Sequence, residues 1–318
     1  MAVDGELTFR EGLPSDLRAT FELEKRAWDA SRRARGLTPS DIRGDHDVEA
    51  QWVNERPLTE FIAAQEDGRY WVCEQAGRLI AYARVARFGS MDELTEMWVD
   101  PDHAGRGVGR ELMTRCWPEP PTPDLGRVVL SVGTPVDLTL YTHFGVMPAA
   151  GHWHMRIRVS DYLERRSHEL VDAPATEVVA LKAERAVEEW KRLEPSAIGH
   201  ERPLLHEFFG RTRSCLAIMD REQERALAVC WVSPNAEIGP AVGEGTEHLV
   251  PVVLAALDRV AKMQEPESLG VFCTTSSWWL LDRLRRLGFR VYWPSWVMCS
   301  VPLPGLDRYL GTFPPRLL

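Results

Sequence analysis

The sequence predicts an α/β protein built as two similar halves, on three observations. Segments of helical period alternate with apolar, strand-like runs along the whole chain. Its 318 residues suit two domains of ordinary size better than one core. Two segments also recur at corresponding places. Residues 142–146 (THFGV) match 285–289 (RRLGF), each a helix end followed by a strand, and 152–159 (HWHMRIRV) match 294–301 (PSWVMCSV). Such self-similarity points to an internal duplication.

In order along the first half, residues 6–12 (ELTFREG) are a short strand. From Asp16 to about Arg35, Leu17, Phe21, Leu23, Ala27 and Trp28 recur at helical spacing. Residues 36–47 form a polar loop with Gly and Pro, and a second helix runs to about Glu66. Two apolar runs, 70–75 and 78–88, flank a turn at Ala76-Gly77 and predict a hairpin. A third strand, 93–99 (ELTEMWV), runs into a glycine-rich turn and the helix 110–117. A buried strand at 127–133, a short helix at 137–145 and a strand at 152–160 close the half.

The second half repeats this order. Residues 215–220 and 225–234 predict a hairpin, 236–243 a strand, Thr246 to Met263 a helix and 269–275 a strand. A helix at 277–289 precedes a closing pair of strands within 291–302. Residues 160–174 (SDYLERRSHELVDAP) are polar, Pro174 interrupts them, and the division is expected there, giving domains 1–165 and 172–318.

Composition narrows the function. The net charge is −9 and no basic face stands out, so nucleic acid is not an expected partner. No apolar run approaches the length of a membrane span. The start, MAVDGELTFREG, lacks the basic and apolar regions of a signal peptide, and the six cysteines form no CxxC pair. They are expected to be reduced core residues of a cytoplasmic protein. His152 and His154 share a strand face, but no nearby carboxylate or cysteine completes a metal set, so no metal is expected.

The chemistry concentrates in residues 97–112 (MWVDPDHAGRGVGREL). A strand ends at Val99, a turn carries Gly105, Gly107 and Gly109, and a helix begins. Free backbone N–H groups and the positive helix end make this an anion site, and Arg106 and Arg110 add charge. Glycine lets a pyrophosphate reach the backbone. The pattern is neither GxxxxGK[ST] nor the early GxGxxG of a dinucleotide fold.

This segment resembles the GCN5-related N-acetyltransferase (GNAT) family over about residues 5–160. The family's loop, [Q/R]-x-x-G-x-[G/A], corresponds to residues 104–109, with Ala104 at its first position. The resemblance implies two tandem GNAT-like domains, each a mixed, mostly antiparallel sheet flanked by helices (α+β). It implies acetyl-CoA as cosubstrate, its pyrophosphate on Gly105, Arg106, Gly107, Val108, Gly109 and Arg110. Pantetheine would align with Met97, Trp98 and Val99, and Thr134 would contribute a further contact. Tyr141, in LYTHFGV, stands at the family's tyrosine, which protonates the departing thiolate.

The amine needs a base, which family members often take from a fourth-strand glutamate. Glu93 and Glu96 are the candidates; alternation sends them to opposite faces unless a bulge breaks the parity, and Glu96 is favoured as nearer the active-site end. Glu24, Trp28 and Asp45 are expected to contact a cationic amine. In the second half Glu244 and Glu247 stand where the first has Arg106 and Arg110, and Leu284 aligns with Tyr141. Carboxylates repel a pyrophosphate, so that half resembles a degenerate repeat: fold kept, cofactor site lost. The expected function is N-acetyl transfer to a small-molecule or peptide amine by a monomer or homodimer. The alternative is a non-catalytic acetyl-CoA sensor or scaffold.

Overall fold

The computed structural model describes residues 5–34, 48–169, 177–220 and 222–318. It falls into two compact units, residues 1–87 with 92–122, and residues 88–91 with 123–318.

The first unit contains β1 (Leu7–Glu11), α1 (Leu17–Ala34), α2 (Val48–Ala63), β2 (Arg69–Gln75), β3 (Arg78–Phe88), β4 (Met91–Val99) and α3 (Val108–Cys116), its strands running β1-β2-β3-β4. The expected turn is present: Ala76 and Gly77 both take positive φ, 50° and 75°, the twist that a two-residue hairpin requires. Strand alternation divides the side chains between two faces. Val72 and Tyr82 pack under Leu23 of α1. On the other face the Arg115 guanidinium of α3 lies 4.9 Å from the Phe9 ring and 5.0 Å from that of Trp71.

The second unit contains β5 (Gly126–Ser131), α4 (Pro135–His143), β6 (Met147–Arg158), α5 (Val159–Glu169), β7 (Val178–Leu181), α6 (Ala183–Leu193), α7 (Pro195–Ile198) and α8 (Pro203–Thr212). It continues with β8 (Ser214–Asp220), β9 (Arg225–Val232), β10 (Ile238–Gly243), α9 (Thr246–Met263), β11 (Ser268–Thr274), α10 (Trp278–Arg286), β12 (Arg290–Cys299) and β13 (Tyr309–Leu310). The strand order is β5-β12-β6-β11-β13-β10-β9-β8-β7. Leu249, Val252, Val253, Leu257 and Val260 of α9 form the middle of its core.

The structure adds one helix and corrects one expectation. The polar segment after residue 159 begins as helix α5: Tyr162 packs inward and donates to Asp258 at 2.6 Å, and Arg166 pairs with the same carboxylate at 3.1 Å. Helical spacing of Val159, Tyr162 and Leu163 outweighs the polar composition. The closing pair of strands is instead the single strand β12, because an irregularity between Val291 and Trp293 lets it continue through Pro294.

The register supports the duplication. Trp153 pairs with Pro294 and His152 with Ser295. Under the alignment that sets His152 against Pro294, these pairs are images of each other about a local two-fold. The flanking strands obey the same relation: β5 pairs with β12 (Ser131 with Trp296) as β11 pairs with β6 (Phe272 with His154). The two halves have exchanged their last strands. Residues 306–318 then return into the second half. There β13 sits between β10 and β11, with Leu310 paired to both Ala241 and Cys273. Thr274 and Ser277 hydroxyls hold the Leu306 carbonyl at 2.9 and 2.8 Å.

Candidate functional site

The glycine loop is prepared by what precedes it. The backbone N–H of Asp100 donates to the Ile80 carbonyl at 2.7 Å, tying the end of β4 to β3. The Asp100 carboxylate accepts from the Asp102 amide at 3.1 Å and pairs with Arg78 at 2.9 Å. A tight turn at Pro101–His103 follows. Gly105 and Gly107 then adopt φ of 76° and 82°, where a side chain is strained. A Cβ at either position would meet nothing within 4 Å, so the space above the loop is open. Gly107 caps α3 without a side-chain hydrogen bond, and the first helical bond runs from Glu111 N–H to the Gly107 carbonyl at 3.0 Å. The amides of Val108, Gly109 and Arg110 therefore lead the helix with no side-chain cap. Arg106 and Arg110 are exposed, and among the described residues neither makes an ion pair. The sequence-predicted loop residues are thus brought together on one open surface at the start of α3.

Met97, Trp98 and Val99 form the half-buried end of β4, whose earlier residues are buried. The Trp28 ring of α1 meets Trp98 edge-on at 6.0 Å. Glu93 and Glu96 are both buried and lie on opposite faces by strand parity. Glu96 forms a buried ion pair with Arg84, whose guanidinium also donates to Thr20 of α1 at 3.0 Å and lies 4.5 Å from the Tyr70 ring. Sequence reasoning missed this partner, because a lone arginine in an apolar strand shows no spacing that names its carboxylate. An anchored Glu96 is a poor proton shuttle. Glu96→Gln is expected to lower the melting temperature while turnover per folded molecule changes little; a kcat loss at unchanged stability would return Glu96 to the role of base. Glu24 lies in α1, and Asp45 lies outside the described residues.

In the second unit Thr134 caps α4: its hydroxyl accepts from the Asp137 amide at 3.1 Å, and Asp137 answers to the Thr134 amide at 3.2 Å. Tyr141 is the buried residue of α4. Burial, with Asp137 adding to it, pushes its phenol well above the usual range. It therefore stays protonated at neutral pH, the state required of a donor.

The corresponding turn after β10 differs in kind. Only Glu244 and Gly245 separate β10 from α9. Glu244 contacts Arg225 and lies 3.7 Å from Arg192, while the Glu247 carboxylate folds against Gly245. A Cβ on Gly243 would lie 2.6 Å from the Gly245 carbonyl oxygen. No residue of this turn has positive φ. Leu284 matches Tyr141 in backbone as well as in sequence: Phe289 N–H bonds the Leu284 carbonyl at 3.0 Å, as Val146 N–H bonds that of Tyr141 at 3.2 Å.

Residues 66–145 match the family model described as acetyltransferase (GNAT) domain. The fold is that of the GNAT acetyltransferases. A candidate acetyltransferase from Pyrococcus horikoshii aligns with 98% of this chain and 95% of its own at 13% identity, TM-score 0.68. A tandem GNAT protein from the clavulanic acid biosynthesis pathway aligns over 93% and 99% at 18% identity, TM-score 0.57. A GNAT protein from Sphaerobacter thermophilus covers 92% and 95% at 17% identity, TM-score 0.53. No curated protein sequence matches the chain. The mixed α/β fold with a mostly antiparallel sheet thus contains two GNAT-like domains. Among the described residues no group of carboxylates, histidines and cysteines is arranged to hold a metal, and no helix is long and apolar enough to cross a membrane.

Proposed function

We propose that the chain is a cytoplasmic acetyl-CoA-dependent N-acetyltransferase, with its cosubstrate in the first repeat (residues 1–165) and a degenerate second repeat (172–318). The observation that carries this reading is the open loop at 105–110. Two left-handed glycines there clear the space, and an uncapped helix start with two unpaired arginines meets it. A pyrophosphate complements that donor set in charge. Met97 to Val99 supply main chain for pantetheine. In the second repeat two glutamates stand at the turn and β13 fills the gap between β10 and β11.

The amine nitrogen attacks the thioester carbonyl directly in a ternary complex. The C–S bond breaks as the amide forms, and Tyr141 gives its proton to the thiolate. A buried carboxylate of β4, Glu93 or Glu96, takes the ammonium proton, directly or through water. Acetyl-CoA mixed with a panel of primary amines is expected to release free thiol only when an acceptor is present. Binding of acetyl-CoA with no thiol released by any amine would favour the sensor reading.

A further inference from the structure

The local two-fold makes two positions on the second unit's sheet images of each other, and they are furnished differently. In one, Phe272 of β11 and its neighbour His154 of β6 stack with centroids 4.4 Å apart. Phe313, from the returning C-terminal segment, packs on both, 5.4 Å from Phe272 and 5.6 Å from His154. In the image position Ser131 of β5 replaces Phe272 and Trp296 of β12 replaces His154. There Trp296 is 39% exposed.

The Trp296 ring rests against backbone rather than under a side chain. A Cβ built on Gly133 would lie 2.7 Å from Trp296 Cδ1, and Gly133 has φ of 82°, so only glycine lets the indole settle there. Gly133 directly precedes Thr134, the cap of the helix that carries Tyr141. One copy of this position therefore has an aromatic floor with a ring from the chain itself laid on it. The other has an aromatic floor, a serine where a ring would be, and no cover among the described residues.

We propose that Trp296, contributed by the second repeat, is a specificity residue on which the amine acceptor seats an aromatic ring, as Phe313 is seated at the image position. The ligand's identity as an amine rests on the acetyl-transfer reading. The ring seat rests on the two-fold comparison alone. Exchange of the last strands explains why a repeat without its own cofactor site is retained: β12 brings the indole beside β5.

The test compares 2-phenylethylamine with n-butylamine on wild type, Trp296→Ala and Trp296→Phe. Binding is read by ligand-observed NMR with coenzyme A present, and KM and kcat by thiol release. Wild type is expected to bind the ring amine about two- to tenfold more tightly than the chain amine, the scale of one well-stacked ring. Trp296→Ala should remove that preference through KM with kcat kept, and Trp296→Phe should restore most of it. A folded Trp296→Ala protein that retains the preference, or a wild type that has none, overturns the proposal. Ring-amine binding that depends on Trp296 but yields no thiol supports the seat and refutes acetyl transfer.

Discussion

Tyr141→Phe is expected to lower kcat by about two to four orders of magnitude while the acetyl-CoA-induced rise in melting temperature stays as in wild type. The substitution keeps a ring that is 6% exposed and the buried anchor of α4, and removes only a hydroxyl. No hydrogen bond among the described residues holds that hydroxyl, so its loss leaves no partner stranded. The proton is needed only as the thiolate departs, so the loss falls on kcat rather than on KM. The pH dependence has a definite sign. Burial raises the phenol above its ordinary pKa of about 10, so Tyr141 remains protonated throughout the neutral range. A basic limb below about pH 10 belongs to another group and should persist in the mutant. Steady-state rates on a good acceptor decide the matter. Turnover within about threefold of wild type, with chemistry limiting, would remove Tyr141 from the mechanism.

Glu194→Leu is expected to destabilise the second unit by about 3–5 kcal/mol. Glu194, Arg202 and His206 are all buried, and Glu194 pairs with Arg202 at 2.6 Å and with His206 Nε2 at 2.7 Å. His206 Nδ1 accepts the Trp231 indole N–H at 3.2 Å, which leaves its proton on Nε2, facing Glu194. Arg202 also donates to the Leu318 carbonyl oxygen at 2.8 Å, linking the network to the returning C-terminal segment. Removing the carboxylate leaves a buried guanidinium, which does not deprotonate, without its counter-ion. The same network predicts acid sensitivity. Burial alone would raise the Glu194 carboxyl, but Arg202 and His206 outweigh it and hold it at about 2. Its folded pKa is depressed, so its contribution is complete above the unfolded value near 4.3 and is lost as pH falls toward 2. Burial likewise lowers His206, and lowers His152 to about 3; both lose their contribution as pH falls from about 6.5. Urea titrations of wild type should therefore show stability falling steadily below pH 6.5. In the mutant the loss due to Glu194 should be absent.

Much of this was legible because it is written locally. Apolar period marked α1, the β2–β3 hairpin and α9, and three glycines with two arginines marked the turn between β4 and α3. The matching segments around His152 and Pro294 identified the duplication, and the register reproduces them as images. What was illegible depends on contacts distant in sequence. Arg84 engages Glu96 across a strand pair, and nothing in either strand predicts it. The exchange of β6 and β12 follows from pairing between halves, which similarity of the halves does not reveal. Helix α5 was hidden because its buried face is narrow and its remainder is charged. Residues 178–212 carry β7 and three helices that the sequence analysis leaves unassigned, although Ala186, Trp190 and Leu193 of α6 recur at helical spacing. The insertion of β13 rests on two residues, Tyr309 and Leu310, too few for any periodicity.

We propose that one repeat holds acetyl-CoA and the other does not. Calorimetric titration of the full chain tests it directly. One equivalent should bind per chain, and Arg106→Glu with Arg110→Glu should abolish the heat while leaving the melting temperature of the free protein nearly unchanged, both residues being exposed. Two equivalent sites, or one site indifferent to those charges, would contradict it.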